Sequence, residues 1–308
     1  MDQEIATQQQ EQPTKESNLE EEEKQEVVLQ DALHLLHIGG ELGSITERKK
    51  STQGGVDYSW PSLDGVEEIL GYKFTDRSLL EKAFTHGSCP NKMFTYERLE
   101  FVGDSVLNLI FAKQLYLLYP DLPPGDLTRL RAANVDTEKL ARVAVRHGLH
   151  RFLRHNKPLL EEQIREFSQA ILDYPLHSNG LVDAPKDLAD IVESSMGAVF
   201  IDSNFSIDTV WQVFKDLLEP IISRETFTVH PVTELYEVCQ KRNLKVKFVD
   251  LWKENMAFNV FVDGQLLGKG TYGLKKDIAH NRAAKDALNN IAKLLCDKDS
   301  SPSINTDL

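Results

Sequence analysis

The sequence is poor in cysteine: Cys89, Cys239 and Cys296 lie far apart in 308 residues, with no CxxC pair among them. That excludes a disulfide framework and a thiolate zinc site, so any metal must be held by oxygen ligands. It also suits a reducing compartment, nucleus or cytoplasm, for a chain that is not secreted. Long apolar runs are scarce too. The best stretch, 105–119, is interrupted by Asn108, Lys113 and Gln114, short of the roughly 18–20 residues of a membrane span, so a soluble chain with no membrane partner is expected. The first residues lack a secretory h-region and the Arg-rich, acid-poor character of a transit peptide. Glu-x-x-His occurs at none of the nine histidines, which excludes a di-iron bundle, and no Ser/His/Asp motif is present.

Positive charge is also in deficit, with 35 Lys and Arg against 48 Asp and Glu for a formal net charge of −13. Its distribution matters more than its sum. Residues 1–60 hold 13 acids and 5 bases in Gln/Glu-rich runs with only LHLLHI able to pack, the composition of a disordered arm. Residues 230–295 hold 11 bases against 7 acids, which keeps a polyanion partner open.

What is present is periodicity. From 61 to 222, apolar residues recur at i, i+3, i+4 in VEEIL, LLEKAF, the run 97–118 and LARVAVRHGL, predicting an all-helical domain. The Ser/Arg/Thr stretch 223–230 predicts a linker. Beyond it come a helix from Pro231 to Arg242, the alternating Leu244, Val246 and Phe248, and a second alternating run, 258–262. An Asp263-Gly264 hairpin and a strand through 266–271 complete the sheet. A closing helix, about 275–295, places Ala279, Ala283, Ala287, Ile291 and Leu294 on one face, and 296–308 reads as a tail. The fold class is mainly α, an all-helical domain followed by a small α+β domain of order α-β-β-β-α.

The chemistry concentrates in ERLEFVGDSVLNLIF, residues 97–111. Glu97, Glu100 and Asp104 share one helical face in an apolar segment, where like charges lose solvation and repel unless cations neutralise them. Asp190 and Glu193 repeat the i, i+3 spacing in PKDLADIVESSMGAVF, with Pro185 as first helical residue. Ser194, Ser195, Gly197 and Ala198 there allow another helix to approach. Two such helices would form an oxygen-rich site for Mg²⁺ or Mn²⁺. The plainer reading is a solvated acidic stripe and a Lys186–Asp190 surface pair at i+4. GKGTYG, 268–273, matches GxGxxG but follows an antiparallel hairpin, so it reads as a strand exit whose bare amides approach a phosphate. Arg129, Arg131, Arg142 and Arg146 offer a reserve basic face, and His147 and His150 read as packing or surface residues.

ERLEFVGDSVL resembles the signature helix of the ribonuclease III family. FTDRSLLEKAFTHGS, 74–88, resembles that family's opening helix, and DLADIVESSMGAVFID, 187–202, its second acidic helix. HNKPLLEEQIREFSQAILDYPLHSNGLVDAPK is similar to the plant RNase three-like members, and 231–295 looks like a double-stranded-RNA-binding domain. The resemblance implies an endoribonuclease that cuts double-stranded RNA as a homodimer, leaving 5′-phosphate and 3′-hydroxyl ends with short 3′ overhangs. It implies metal ligation by Glu100, Asp104, Asp190 and Glu193 with Mg²⁺, Mn²⁺ substituting, a catalytic cation at Lys186, and a dimer contact at Glu97. Duplex contacts would fall on Glu237, Lys275, Lys276 and His280, while the expected Gly-Pro-x-His loop is replaced by Glu254–Ala257. The alternative is a non-catalytic RNA-binding or ribosomal protein on the same scaffold.

Overall fold

The computed structural model describes residues 60–90 and 94–299. The expected N-terminal arm and the last residues of the expected tail lie outside them. The helical part comprises α1 (Asp64–Leu70), α2 (Arg77–Ala83), α3 (Glu97–Leu118), α4 (Pro124–Val135), α5 (Thr137–Arg146), α6 (Leu160–Ala170), α7 (Lys186–Asp202) and α8 (Ile207–Phe214). Local chemistry sets the ends. The Asp76, Asp136 and Ser206 side chains accept the orphan N–H groups of α2, α5 and α8. Pro124 opens α4, where its missing N–H costs nothing. Pro185 caps α7 from outside, so the helix starts one residue later than expected, at Lys186.

The long helix α3 lies along α7, and their crossing is backbone on backbone. A Cβ at Gly103 would overlap the carbonyl oxygen of Glu193, and a Cβ at Gly197 would overlap that of Leu99. Only glycine fits this approach, and it is what carries the acidic turns of the two helices together. Ser194 is turned elsewhere, donating to the carbonyl of Ala83 at the end of α2 (2.8 Å). By length and composition α3 is long and apolar enough to cross a membrane, contrary to the expectation from its polar interruptions. Its acidic first turns and its packing on α7 make it the central helix of this domain.

The second part is α9 (Pro231–Lys241), β1 (Val246–Leu251), the short α10 (Trp252–Asn255), β2 (Ala257–Val262), β3 (Gln265–Thr271) and α11 (Lys276–Asp299). The strands form an antiparallel sheet in the order β1-β2-β3. Asp263 and Gly264 have positive φ (47° and 81°), the two-residue hairpin turn that Asp-Gly favours. Leu235, Phe258, Val260, Ala279, Ala283 and Ala287 form its core. One expectation is corrected here. Gly268 and Gly270 of GKGTYG are buried packing positions where a Cβ would strike the backbone of α11 at Ala283, so these two glycines serve close strand–helix packing, while Gly273 is exposed. The stretch 223–230, expected as a linker, carries a turn at 224–226, with Phe227 N–H bonded to the Ser223 carbonyl (2.9 Å) and Asn179 donating to Thr228 (2.6 Å).

Candidate active site

The α3/α7 crossing opens a cavity of about 320 Å³ lined by Glu97, Glu100, Phe101, Asp104, Lys186, Asp190 and Glu193 among others. All five residues that sequence reasoning assigned to catalysis and metal line it, and so does Glu97, the expected dimer contact, which is exposed. One oxygen from each of Glu100, Asp190 and Glu193 lies within 4.8 Å of the others. Asp104, one turn further along α3, stands outside this tight set, its carboxylate accepting from Asn108 (2.9 Å). Thus the four acids do not form one equal square: three converge, and the fourth flanks them.

Lys186 is more than the i+4 partner of Asp190. Its ammonium bridges the two helices, 2.8 Å from Glu100 and 2.5 Å from Asp190. Burial works against its charge, but the bonds to Asp190 and Glu100 prevail and hold the ammonium protonated well above the ordinary lysine range. The acids remain underneutralised all the same. Burial, then repulsion from Asp104, Asp190 and Glu100, pushes the Glu193 carboxyl up to about 8, and burial foremost raises Asp190. A site that favours protons this strongly has room for further positive charge. Converging oxygen ligands with that charge deficit fit a hard divalent cation.

The duplex-contact candidates fare differently. Lys275 pairs with Asp183 of the helical part (2.5 Å), and Lys276 pairs with Asp250 (2.6 Å). Both lysines are about half exposed, so these are weak surface pairs that yield readily to a phosphate. His280 is half-buried beside Lys276 at the start of α11, its ring packed on Phe248 (4.2 Å between centroids) and edge-on to Phe258 (5.0 Å). Glu237 lies half-buried on α9. The expected deviation at Glu254–Ala257 is α10 itself, ended by Met256 at φ 55°.

The reserve basic face does not exist as such. Arg142 is buried, bonded to Glu138 (2.7 Å) and to the Tyr174 carbonyl (2.7 Å), while Arg146 donates to the Glu219 carbonyl. His150 is buried, with Nδ1 on the Ala144 carbonyl (3.1 Å). Sequence reasoning also missed Gly103 and Tyr96. Gly103 was signalled only by being the one glycine inside an otherwise apolar and acidic helix; Tyr96, just outside the helical pattern, gave no signal at all.

A helical domain built around two acidic helices, followed by an α-β-β-β-α module, is the arrangement that two family models recognise. The Ribonuclease III domain matches residues 97–204, and the Double-stranded RNA binding motif matches 231–291. The chain belongs to the ribonuclease III family. It is 53% identical over 241 residues to Ribonuclease 3-like protein 3 of Oryza sativa subsp. japonica, covering 77% of this chain and 81% of that one. It is 45% identical to Ribonuclease 3-like protein 2 of Arabidopsis thaliana, covering 78% of this chain and 62% of that one. With Endoribonuclease Dicer homolog 1 of rice it shares 45% identity over 74% of this chain, which spans 12% of the Dicer homolog.

Proposed function

We propose that this chain is an endoribonuclease that hydrolyses double-stranded RNA with Mg²⁺ as cofactor, Mn²⁺ substituting, and leaves 5′-phosphate and 3′-hydroxyl ends with short 3′ overhangs. The observation that carries this reading is the convergence of Glu100, Asp190 and Glu193 across the α3/α7 crossing, flanked by Asp104. A scaffold that only bound RNA would gain nothing from buried carboxylates that repel its ligand. These four residues would hold the cation, which supplies charge neutralisation and water activation for in-line attack on a phosphodiester. Lys186 keeps a permanent positive charge beside them, suited to the phosphate that must sit in this cavity. Relatives named ribonucleases and endoribonucleases support the same chemistry.

The duplex is read by the second module and by shape, because A-form RNA hides its base edges in a deep, narrow groove. Cutting both strands calls for two sites. Phe101, Leu109 and Tyr116 are 76%, 52% and 72% exposed and fall on one stripe of α3, a larger apolar surface than a lone soluble helix leaves to water. A second copy of the chain fits that stripe, giving a symmetric dimer with one carboxylate site per protomer.

The experiment is a mixed dimer of wild type and Glu193→Gln, isolated through two affinity tags and given a duplex labelled separately on each strand. It should nick one strand, whereas the wild-type dimer cuts both. Cuts in both strands by the mixed dimer, with subunit exchange blocked, would overturn the paired-site reading.

A further inference from the structure

Behind the carboxylate cluster, Tyr96 occupies a slot where it is 3% exposed, immediately ahead of α3. Its hydroxyl faces two buried carboxylates, Asp190 Oδ2 at 3.0 Å and Asp187 Oδ1 at 3.4 Å. A phenol has one proton to donate, so which acid receives it matters. Asp187 already has positive groups beside both oxygens. Lys157 Nζ lies 2.6 Å from its Oδ2, and His86 Nε2 lies 3.1 Å from its Oδ1. The tautomer of His86 follows from its other nitrogen: Nδ1 accepts the backbone N–H of Ser88 (2.8 Å), so Nε2 carries the proton and sets its positive edge beside Asp187. With Asp187 paired to Lys157 and Asp190 the nearer acceptor, at 3.0 Å against 3.4 Å, the Tyr96 proton goes to Asp190. The His86 ring packs edge-on to the Tyr96 ring (5.6 Å between centroids), which keeps the phenol from swinging away.

This fixes the direction in which Asp190 presents itself. Oδ2 is held by Tyr96, and Oδ1 is the oxygen that Lys186 bridges to Glu100, on the side of the cavity. We propose that Tyr96 is a positioning residue for the metal centre: its hydroxyl, kept aimed by the His86–Asp187–Lys157 group, locks the Asp190 carboxylate with one oxygen turned to the cation. The proposal rests on the reading of Glu100, Asp190 and Glu193 as metal ligands. Groups that orient a ligand in this way are worth about 10–100-fold in metal affinity or activity.

The test is Mn²⁺ binding to the full chain without RNA, followed by the electron paramagnetic resonance signal of free Mn²⁺, beside the Mg²⁺ concentration that gives half-maximal cleavage. Tyr96→Phe keeps the ring in its slot and removes only the donor. Its Mn²⁺ dissociation constant and its half-maximal Mg²⁺ should both rise about 10–100-fold. Cleavage should recover at saturating Mg²⁺, and metal-free thermal unfolding should stay within a few degrees of wild type. His86→Ala removes the ring that holds the Tyr96 phenol and the imidazole edge beside Asp187 Oδ1, so the Tyr96 proton is shared between two acceptors. A smaller rise in both quantities is expected there, and this variant carries the test if Tyr96→Phe fails to fold. Mn²⁺ binding as tight as wild type in the folded variants overturns the positioning role. A wild-type chain that takes up no Mn²⁺ overturns instead the metal-centre reading beneath it.

Discussion

Glu193→Gln is expected to lower cleavage of double-stranded RNA by more than about 100-fold while raising the metal-free stability of the fold. The first effect follows from chemistry: removal of a group that merely orients a metal ligand costs 10–100-fold, and Glu193 is itself one of three acids converging within 4.8 Å. The second follows from proton linkage. Burial and three neighbouring acids hold the Glu193 carboxyl at about 8 in the folded chain, above its ordinary value of 4.5. Between those two values the folded state binds more protons than the unfolded one, so this group lowers stability as pH rises from about 4.5 to about 8. Gln carries no such proton. The gain in unfolding temperature over wild type should therefore be small near pH 5 and largest near pH 8, in EDTA. A variant that cuts like wild type, or a gain that does not grow with pH, would remove Glu193 from the cluster.

The largest stability effect is expected from Gly103→Ala. The added methyl would meet the backbone carbonyl of Glu193, which cannot swing aside as a flexible side chain does, so α3 and α7 must separate. Overpacking in a core costs typically 1–3 kcal/mol, and a backbone obstacle puts this change at the top of that range. For a domain of this size about 3 kcal/mol corresponds to a fall of roughly 6–12 °C in unfolding temperature. Activity should drop at temperatures where the variant is still folded, because parting the helices pulls Glu100 away from Asp190 and Glu193. Gly125→Ala, where nothing lies within 4 Å, is the matched control and should leave both quantities unchanged. A Gly103→Ala chain as stable as the control would mean that the crossing is not held by this contact.

The outcome of the sequence reading differs by physical cause. The helical pattern, the three strands and the Asp-Gly hairpin were legible because periods of 3.6 and 2 and the turn residues are local properties. Glu100, Asp104, Asp190 and Glu193 were legible because carboxylates at helical spacing in an apolar run are costly unless they serve a purpose. Their grouping as three and one was not, since it depends on the rotation of α3 against α7 and on Asn108 holding Asp104. Arg142 was misjudged as surface because, although Glu138 stands one turn before it on α5, the Tyr174 carbonyl that completes its bonding comes from a segment 32 residues further on. The packing of the His280 ring on Phe248 and Phe258 was not legible either, because it depends on how the sheet docks on α11. The buried link from His86 through Asp187 and Tyr96 to Asp190 joins segments about 100 residues apart, and no local pattern announces it.

The central claim is that the α3/α7 carboxylates make this chain a metal-dependent nuclease for double-stranded RNA. The most direct test incubates the full chain with one long RNA, either annealed to its complement or alone, in Mg²⁺ or in EDTA, and identifies the ends produced. The account predicts fragments bearing 5′-phosphate and 3′-hydroxyl from the duplex in Mg²⁺, an intact single strand, and no cleavage in EDTA. A duplex that is bound but stays whole in Mg²⁺, or is cut equally well in EDTA, would contradict it.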